Sequence, residues 1–316
     1  MEEGPDETKI AVGPQATAGP VAEGLDRLPA INQTRVVQYA AQQLPAHAGR
    51  SGWSSAPIGD IECLMKKTMV RARRFIDDIE EGRFKILYQP VVGIKSNRVE
   101  YFESLTRFRD GESPLDMIQF AEQVGIIEYL DLAVCREVIG KIEHLLECGE
   151  AQAIGVNLSG RSMENEMFVE RLISLLRRKL AVSRFLLIEI TETFGISDLI
   201  RANAIIQCIR AMGFRVCLDD FGSGAASFQY LRDLSVDAVK IDGAYIRKLG
   251  HSARDDAMLR GVVGTCLDIG VGIIGEHVET RQQSQRLAGL GVHFGQGWYY
   301  GAPTVDLDWP PNPGSR

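Results

Sequence analysis

Eight short β-rich runs, separated by stretches with helical spacing, set the tightest limit on what this chain can become. In order they are FKILYQPVVG, VEYFESLTRF, AQAIGVNLSG, FLLIEITE, RVCLDDFG, AVKIDG, VGIIGEHVE and HFGQGWYYG. Strands alternating with helical segments are what a mainly parallel sheet requires, because each parallel crossover consumes about a dozen residues or more. The first two runs break that pattern. They lie so close together, across IKSN, that they can only join as an antiparallel hairpin. Eight strands with intervening helices over roughly 240 residues therefore predict an α/β fold, a (β/α)8 TIM-type barrel with one antiparallel strand near the start.

The rest of the chain divides around that unit. Residues 1–58 are rich in Pro, Gly, Ala and Gln and carry one modest helical candidate, INQTRVVQYAAQQL, so they are read as a flexible, largely disordered N-terminal arm. The barrel is expected over 59–305, opening with the helical run IECLMKKTMVRARRFIDDIEEGRF, which stops at Gly82. Residues 306–316 are read as a C-terminal tail. A hydrophobic fraction of 45% is ample for a core, and a formal charge of −7 argues against a broad basic surface for extended nucleic acid or anionic lipid. No apolar run approaches the length of a bilayer span, and the start MEEGPDETKI is unlike a secretory signal, which points to a soluble cytoplasmic protein. The six cysteines are scattered, with no C-x-x-C pair, and read as buried free thiols in a reducing compartment.

In barrels of this kind the chemistry gathers where strands end and loops begin. Polar residues stand near the ends of nearly every run: Glu103, Asn157, Glu189 with Glu192, Asp219 with Asp220, Lys240 with Asp242, Glu276 with Glu279, and Gln296. Taken alone, the Asp219–Asp220 pair is explained by helix capping or turn chemistry. So many converging carboxylates, however, would repel one another without cations among them. Oxygen-only ligands favour hard ions such as Mg²⁺ or Mn²⁺. Where the strand breaks into Gly222, the chain can turn both aspartates toward one centre and let one of them bridge two ions. Paired ions roughly 3.5–4 Å apart are the usual device for phosphoester hydrolysis, since they activate water and clamp the attacking and leaving oxygens.

From about residue 62 to about residue 303 the motifs YQPVV, ESLTR, FAEQVGII, VNLS, EITE, LDDFGSG, VKID, GEHVE and QGWYYGAP follow one another in an order and spacing that resembles the EAL-domain cyclic di-GMP phosphodiesterases. The resemblance implies a metal-dependent hydrolysis of cyclic di-GMP to linear pGpG, with two divalent ions, Mg²⁺ or Mn²⁺, as cofactors. By position it implies Glu103, Asn157, Glu189, Asp219, Asp220 and Glu276 as metal ligands. Catalytic roles fall on Glu103, Lys240, Glu276 and Gln296, with Lys240 positioning or activating the attacking water. Substrate contacts fall on Gln89, Arg107, Asp242 and Gln296. Glu192 would support the loop after the Asp pair, and Glu279 is the second glutamate of its motif.

Each residue also has a bland reading. Lys240 could form a rim ion pair near Asp242, Arg107 could be a solvated charge, Gln89 a hairpin side chain and Asn157 a turn former. Four departures from the family pattern stand out: Ser104 replaces alanine, His277 replaces glycine, Gln119 replaces the usual proline at a helix start, and Gly224, Ala225, Ala226 and Ser227 replace Gly-Tyr-Ser-Ser. The altered loop keeps an alternative open, a weakly active or inactive cyclic di-GMP receptor acting through a protein partner. A homodimer and a regulatory protein partner are both compatible with the sequence.

Overall fold

A computed structural model describes residues 33–43, 58–108, 111–191, 198–222, 227–307 and 309. Two helices precede the sheet, α1 (Gln33–Gln42) and α2 (Ile58–Glu80). The hairpin β1 (Phe84–Gly93) and β2 (Val99–Phe108) follows, then α3 (Pro114–Val124) and α4 (Ile127–Glu147). The chain continues through β3 (Ile154–Ser159), α5 (Gly160–Glu164), α6 (Glu166–Arg177), β4 (Leu186–Thr191), α7 (Leu199–Ala211), β5 (Arg215–Phe221) and α8 (Ser227–Asp233). It ends with β6 (Ala238–Ile241), α9 (Gly243–Arg247), α10 (Ala253–Asp268), β7 (Gly272–Gly275), α11 (Arg281–Leu290) and β8 (Phe294–Gln296).

The eight strands close into a barrel in sequence order, and β1 runs antiparallel to both of its neighbours, β2 and β8. All other pairings are parallel. The expected fold class is thus the observed one. The long helical pattern from Met117 to Glu147 divides into α3 and α4, because Gly125 adopts φ 81° and ends α3 in the left-handed region that glycine tolerates best. Ser113 caps the other end of α3, accepting from Asp116 N–H, with Pro114 at the first helical position.

Strand pleating divides the core in two. Outward-facing residues such as Phe102, Ile188, Leu218 and Val239 join the helices in one large apolar cluster. Inward-facing Val91, Tyr101, Leu187, Cys217 and Ile274 form a separate plug inside the barrel, with Ala238 and Phe294 packed against it. Side chains alternate along a strand, so whatever lies two residues from a plug residue also faces the barrel axis. That rule places the site.

Both ends of the barrel unit differ from the sequence expectation. Helix α1 lies inside the segment read as a disordered arm, yet Val36 and Ala40 are each only 1% exposed, and Tyr39 meets the Phe120 ring edge-on at 5.2 Å. Three apolar residues on one face of a short helix give it a docking stripe that composition averaged over 58 residues concealed. At the other end, Trp309 Nε1 donates to Tyr300 O at 3.0 Å, so part of the expected tail packs on the barrel. The thiols also divide differently: Cys135, Cys217 and Cys266 are buried, whereas Cys63 and Cys148 are exposed. No helix among the described residues is long and apolar enough to cross a membrane.

Candidate metal and catalytic centre

Two residues beyond the plug, toward the C-terminal ends of the parallel strands, stand the polar residues the sequence singles out. Glu103 follows Tyr101, Glu189 follows Leu187, Asp219 follows Cys217, Lys240 follows Ala238, Glu276 follows Ile274 and Gln296 follows Phe294. Gln89 precedes Val91 by two because β1 runs the other way, and it pairs with Glu103 in the ladder. One layer of alternation thus converts six separate strand ends into one polar layer above an apolar floor. Gly155 makes room for it. A Cβ at that position would fall 2.3 Å from Glu189 Oε1 and 2.9 Å from the Tyr101 ring.

Lys240 is the centre of the layer. Its Nζ lies 3.2 Å from Glu103 Oε2, 3.0 Å from Glu189 Oε2, 3.1 Å from Asp219 Oδ1 and 2.9 Å from Glu276 Oε1, and the side chain is 1% exposed. The reading of Lys240 as a rim ion pair with Asp242 is therefore replaced by a buried hub. Asp242 instead accepts from Ala244 N–H at 2.7 Å and caps α9. Asn157 Nδ2 donates to Glu103 Oε1 at 2.7 Å, and Gln296 Nε2 donates to Glu103 Oε2 and, at 3.2 Å, to Gln89 Oε1. Gln89 Nε2 in turn donates to Gly301 O at 3.0 Å, which ties the hairpin to the segment after β8.

Asp220 shows how adjacent residues on a strand serve one site. Its φ of 56° takes the backbone into the left-handed region, which aspartate enters more readily than most residues, and its N–H donates to Asp219 Oδ1 at 2.9 Å. Two groups of carboxylates result, Glu103 with Glu189 and Asp219, and Asp219 with Asp220 and Glu276, each with ligand oxygens within 4.8 Å of one another. Asp219 belongs to both. The doubled aspartate thus joins two carboxylate groups through one shared side chain.

The electrostatics are those of a site short of positive charge. Burial drives the Glu189 carboxyl up to about 8, with Glu103 and Asp219 adding to the rise and Lys240 opposing it. Burial and then Asp219 drive Asp220 up to about 7. Asp219 and Glu276 are raised, first by burial, against the pull of Lys240. For Glu103, burial is outweighed by Lys240 and by donation from Gln296 and Asn157, and its carboxyl is held below the usual range. On Lys240, burial is outweighed by the surrounding acids, first Asp219, and the ammonium is held well above its usual value. Glu189 Oε1 and Asn157 Oδ1 are buried without a hydrogen-bond partner. Five carboxylates facing one lysine, with two orphaned ligand oxygens, fit divalent cations coordinated through oxygen.

The mouth above this layer is a cavity of about 290 Å³ lined by Arg107, Asn157, Thr191, Asp219 and Asp220 among others. Arg107 is half-buried there and donates to Thr106 O at 2.9 Å. His277 is exposed, and its φ of 51° occupies the conformation its usual glycine would take. The imidazole fits because Gly243 faces it, where a Cβ would stand 2.4 Å from Nδ1. Glu279 is exposed at the entry to α11 and does not join the layer, its backbone N–H donating to Gln283 Oε1 at 2.8 Å. Glu192, Gly224, Ala225 and Ala226 lie outside the described residues, as does the side chain of Ser227.

Sequence reasoning missed several residues at the same mouth. Tyr101 forms the floor, its hydroxyl buried without a partner, and the period-2 count back from Glu103 would have found it. Glu122 and Asp131 come from α3 and α4, line the cavity, and hold the end of β3. Ser159 Oγ donates to Glu122 at 2.7 Å, while Ser159 N–H and Ser162 Oγ donate to Asp131 at 3.0 and 2.6 Å. Burial raises Asp131 to about 7 against those two donors.

The chain is thus a closed (β/α)8 barrel of the class that carries a carboxylate cage around a central buried lysine at its C-terminal rim. Within that class, this chain belongs to the EAL domain family, whose family model matches residues 72–303. It is 32% identical over 237 residues to the cyclic di-GMP phosphodiesterase PdeB of Shewanella oneidensis, covering 73% of this chain and 28% of that protein. It is 28% identical to the cyclic di-GMP phosphodiesterase PA2567 of Pseudomonas aeruginosa, over 72% of this chain and 39% of that one. The chain thus spans well under half the length of these relatives. A solved structure of the PaMucR phosphodiesterase in a c-di-GMP complex superposes with a TM-score of 0.67 at 27% identity, over 75% of this chain and 97% of that one.

Proposed function

We propose that this chain is a metal-dependent phosphodiesterase that hydrolyses cyclic di-GMP to linear pGpG. The observation that carries the reading is the sharing of Asp219 between two carboxylate groups around a fully buried lysine. Two divalent ions, Mg²⁺ or Mn²⁺, would be held by Glu103, Asn157, Glu189, Asp219, Asp220 and Glu276. When bound, such ions supply Lewis-acid charge at the phosphate and lower the pKa of coordinated water.

The chain's own residues supply the rest. Lys240 would hold the attacking water by a charged hydrogen bond from its ammonium. Gln296 and Asn157 fix the Glu103 carboxylate by donating to one oxygen each. Arg107 is positioned at the cavity wall to pair with a phosphate oxygen. Gln89 and Asp242 would be further substrate contacts. Attack forms one new P–O bond to the water oxygen and opens one ester P–O bond, and the departing ribose oxygen takes a proton.

The direct test is incubation of purified protein with cyclic di-GMP and Mg²⁺ or Mn²⁺, with chromatographic resolution of products. The expected result is pGpG in both metals, none with chelator, and none from Lys240→Ala. Tight binding of cyclic di-GMP without any product would overturn the enzymatic reading in favour of a receptor.

A further inference from the structure

Helix α2 carries a feature that the catalytic site does not use. Its outer face runs Lys66, Lys67, Val70, Arg71 and Arg74, and beside it lies a second cavity, of about 420 Å³, walled by those residues with Phe75, Asp78, Arg83, Phe108, Glu112 and Met117. Five cations face two carboxylates there, in a chain whose formal charge is −7. The three arginines are already offset, Arg71 at 3.8 Å from Glu112, Arg74 at 3.8 Å from Asp78, and Arg83 at 2.6 Å from Asp78 and paired with Glu81 as well, so the excess charge of the groove lies on its two lysines. Lys66 and Lys67 are exposed and have no carboxylate partner among the described residues. The floor is apolar: Phe75 is 1% exposed and Met117 7%, while Val70 at the rim is 70% exposed. A rim of cations over an apolar floor matches a segment that combines acids with aliphatic residues.

The chain contains such a segment. Glu2, Glu3, Asp6 and Glu7 crowd the N-terminus, followed closely by Ile10 and Val12. Its tether is anchored beside the groove, because α1 packs there and Tyr39 Oη accepts from Arg71 Nη1 at 3.4 Å. About 25 residues separate Glu7 from α1, and covalent geometry lets them span up to about 80 Å, far more than the groove requires. We propose that the groove on α2 is the docking site of the acidic segment Glu2–Glu7 of the same chain, with Lys66 and Lys67 as its charge partners and Val70, Phe108 and Met117 receiving the aliphatic residues that follow. Phe108 comes directly after Arg107, so the docked segment lies beside the mouth without occupying it. This goes beyond the catalytic reading and stands independently of it.

Zero-length carbodiimide coupling on the full chain tests this, because it joins a carboxylate to a lysine only when the two are in contact. A mixture of ¹⁴N- and ¹⁵N-labelled protein separates links within one chain from links between copies. The expected products join Glu2, Glu3, Asp6 or Glu7 to Lys66 or Lys67 within one chain, and they are lost at 1 M salt, where the screening length falls to about 3 Å. A charge exchange supplies the control. Lys66→Glu with Lys67→Glu abolishes the links, and adding Glu2→Lys, Glu3→Lys, Asp6→Lys and Glu7→Lys restores them with the chemistry reversed. Links spread evenly over Lys85, Lys95, Lys141 and Lys248, links only between isotopically distinct copies, or no links from the segment would each overturn the assignment.

Discussion

Chelation at different pH values tests the charge imbalance of the cage most directly. Glu189 is raised from 4.5 to about 8 and Asp220 from 3.8 to about 7. A carboxyl whose folded pKa lies above its unfolded value keeps its proton in the folded state, so stability is fullest below the unfolded pKa and falls as pH rises toward the folded pKa. At ~1.4 kcal/mol per pH unit, Glu189 alone is destabilising by on the order of 5 kcal/mol above pH 8. Asp220 and Glu276 act in the same direction, but all three share Lys240 and Asp219, so their contributions overlap and 5 kcal/mol is the scale for the group. Glu103 has the opposite sign, and its stabilisation is lost only on acidification below its ordinary range, outside this window. Lys240, raised above its usual value, contributes fully throughout it. Metal-free protein should therefore lose on the order of 5 kcal/mol between pH 5 and pH 8.5, a large part of the ~5–15 kcal/mol that holds an ordinary domain. Millimolar Mg²⁺ or Mn²⁺ should restore most of it at pH 8.5 and little at pH 5, where the protons already neutralise the cage. Urea unfolding followed by circular dichroism, with chelator or metal at three pH values, measures both effects, and Asp131→Asn, Glu122→Gln and Glu128→Gln remove the contributions of the raised acids outside the cage. A flat pH dependence in chelator, or equal stabilisation by metal at pH 5 and 8.5, would refute the reasoning.

Replacing Lys240 with alanine should abolish turnover and, in chelator at pH 8, lower stability by about 3–5 kcal/mol, because it removes the cation that contacts four buried carboxylates; denaturant midpoints with and without metal check this. Glycine at position 277 should relieve a left-handed backbone cost of about 1–2 kcal/mol while adding roughly 0.5–1 kcal/mol of unfolded-state entropy. The His277→Gly variant should thus melt at the same or slightly higher temperature and keep its turnover, and a clear fall in melting temperature would assign the imidazole a stabilising contact. Deleting residues 1–32 should change the urea midpoint little, whereas deleting 1–57 should cost about 2–4 kcal/mol by uncovering Phe120 and the sites of Val36 and Ala40. Equal midpoints for the two truncations would show that α1 adds nothing to the fold.

Much of this architecture is legible in the sequence because the barrel depends on local, periodic signals. The runs FKILYQPVVG and VEYFESLTRF coincide with β1 and β2, and the short spacing between them forces the antiparallel pairing that the ladder contains. The later runs extend past the strand ends into the polar residues of the rim, since GEHVE and NLSG continue the composition of a strand without its ladder. What escapes the sequence is orientation across elements. Lys240 and Asp242 have the same parity, and only the departure of the chain into α9 sends one to the hub and the other to a cap. Glu122 and Asp131 sit on helices whose facing depends on how α3 and α4 pack, which no count along the chain specifies. The helix α1 was visible as a candidate, but ten residues with three apolar contacts do not announce what they will pack against.

The same pleat that builds the barrel also determines the chemistry at its rim. Filling the interior with Val91, Tyr101, Leu187, Cys217 and Ile274 commits the residues two positions further on to the barrel axis, whatever they are. A stability-driven sequence would place further apolar residues there, as buried ion clusters are commonly replaced by apolar ones with no loss. This chain places four buried acids and a half-buried fifth around one lysine instead. The lysine cannot neutralise them alone, and protons complete the neutralisation only at the cost of ligand charge. The arrangement can be neutralised by protons at low pH or by added cations near neutrality, and only the second leaves the carboxylates ionised. Asp219 belongs to both carboxylate groups, so it is the residue through which a charge placed at one group acts directly on the other.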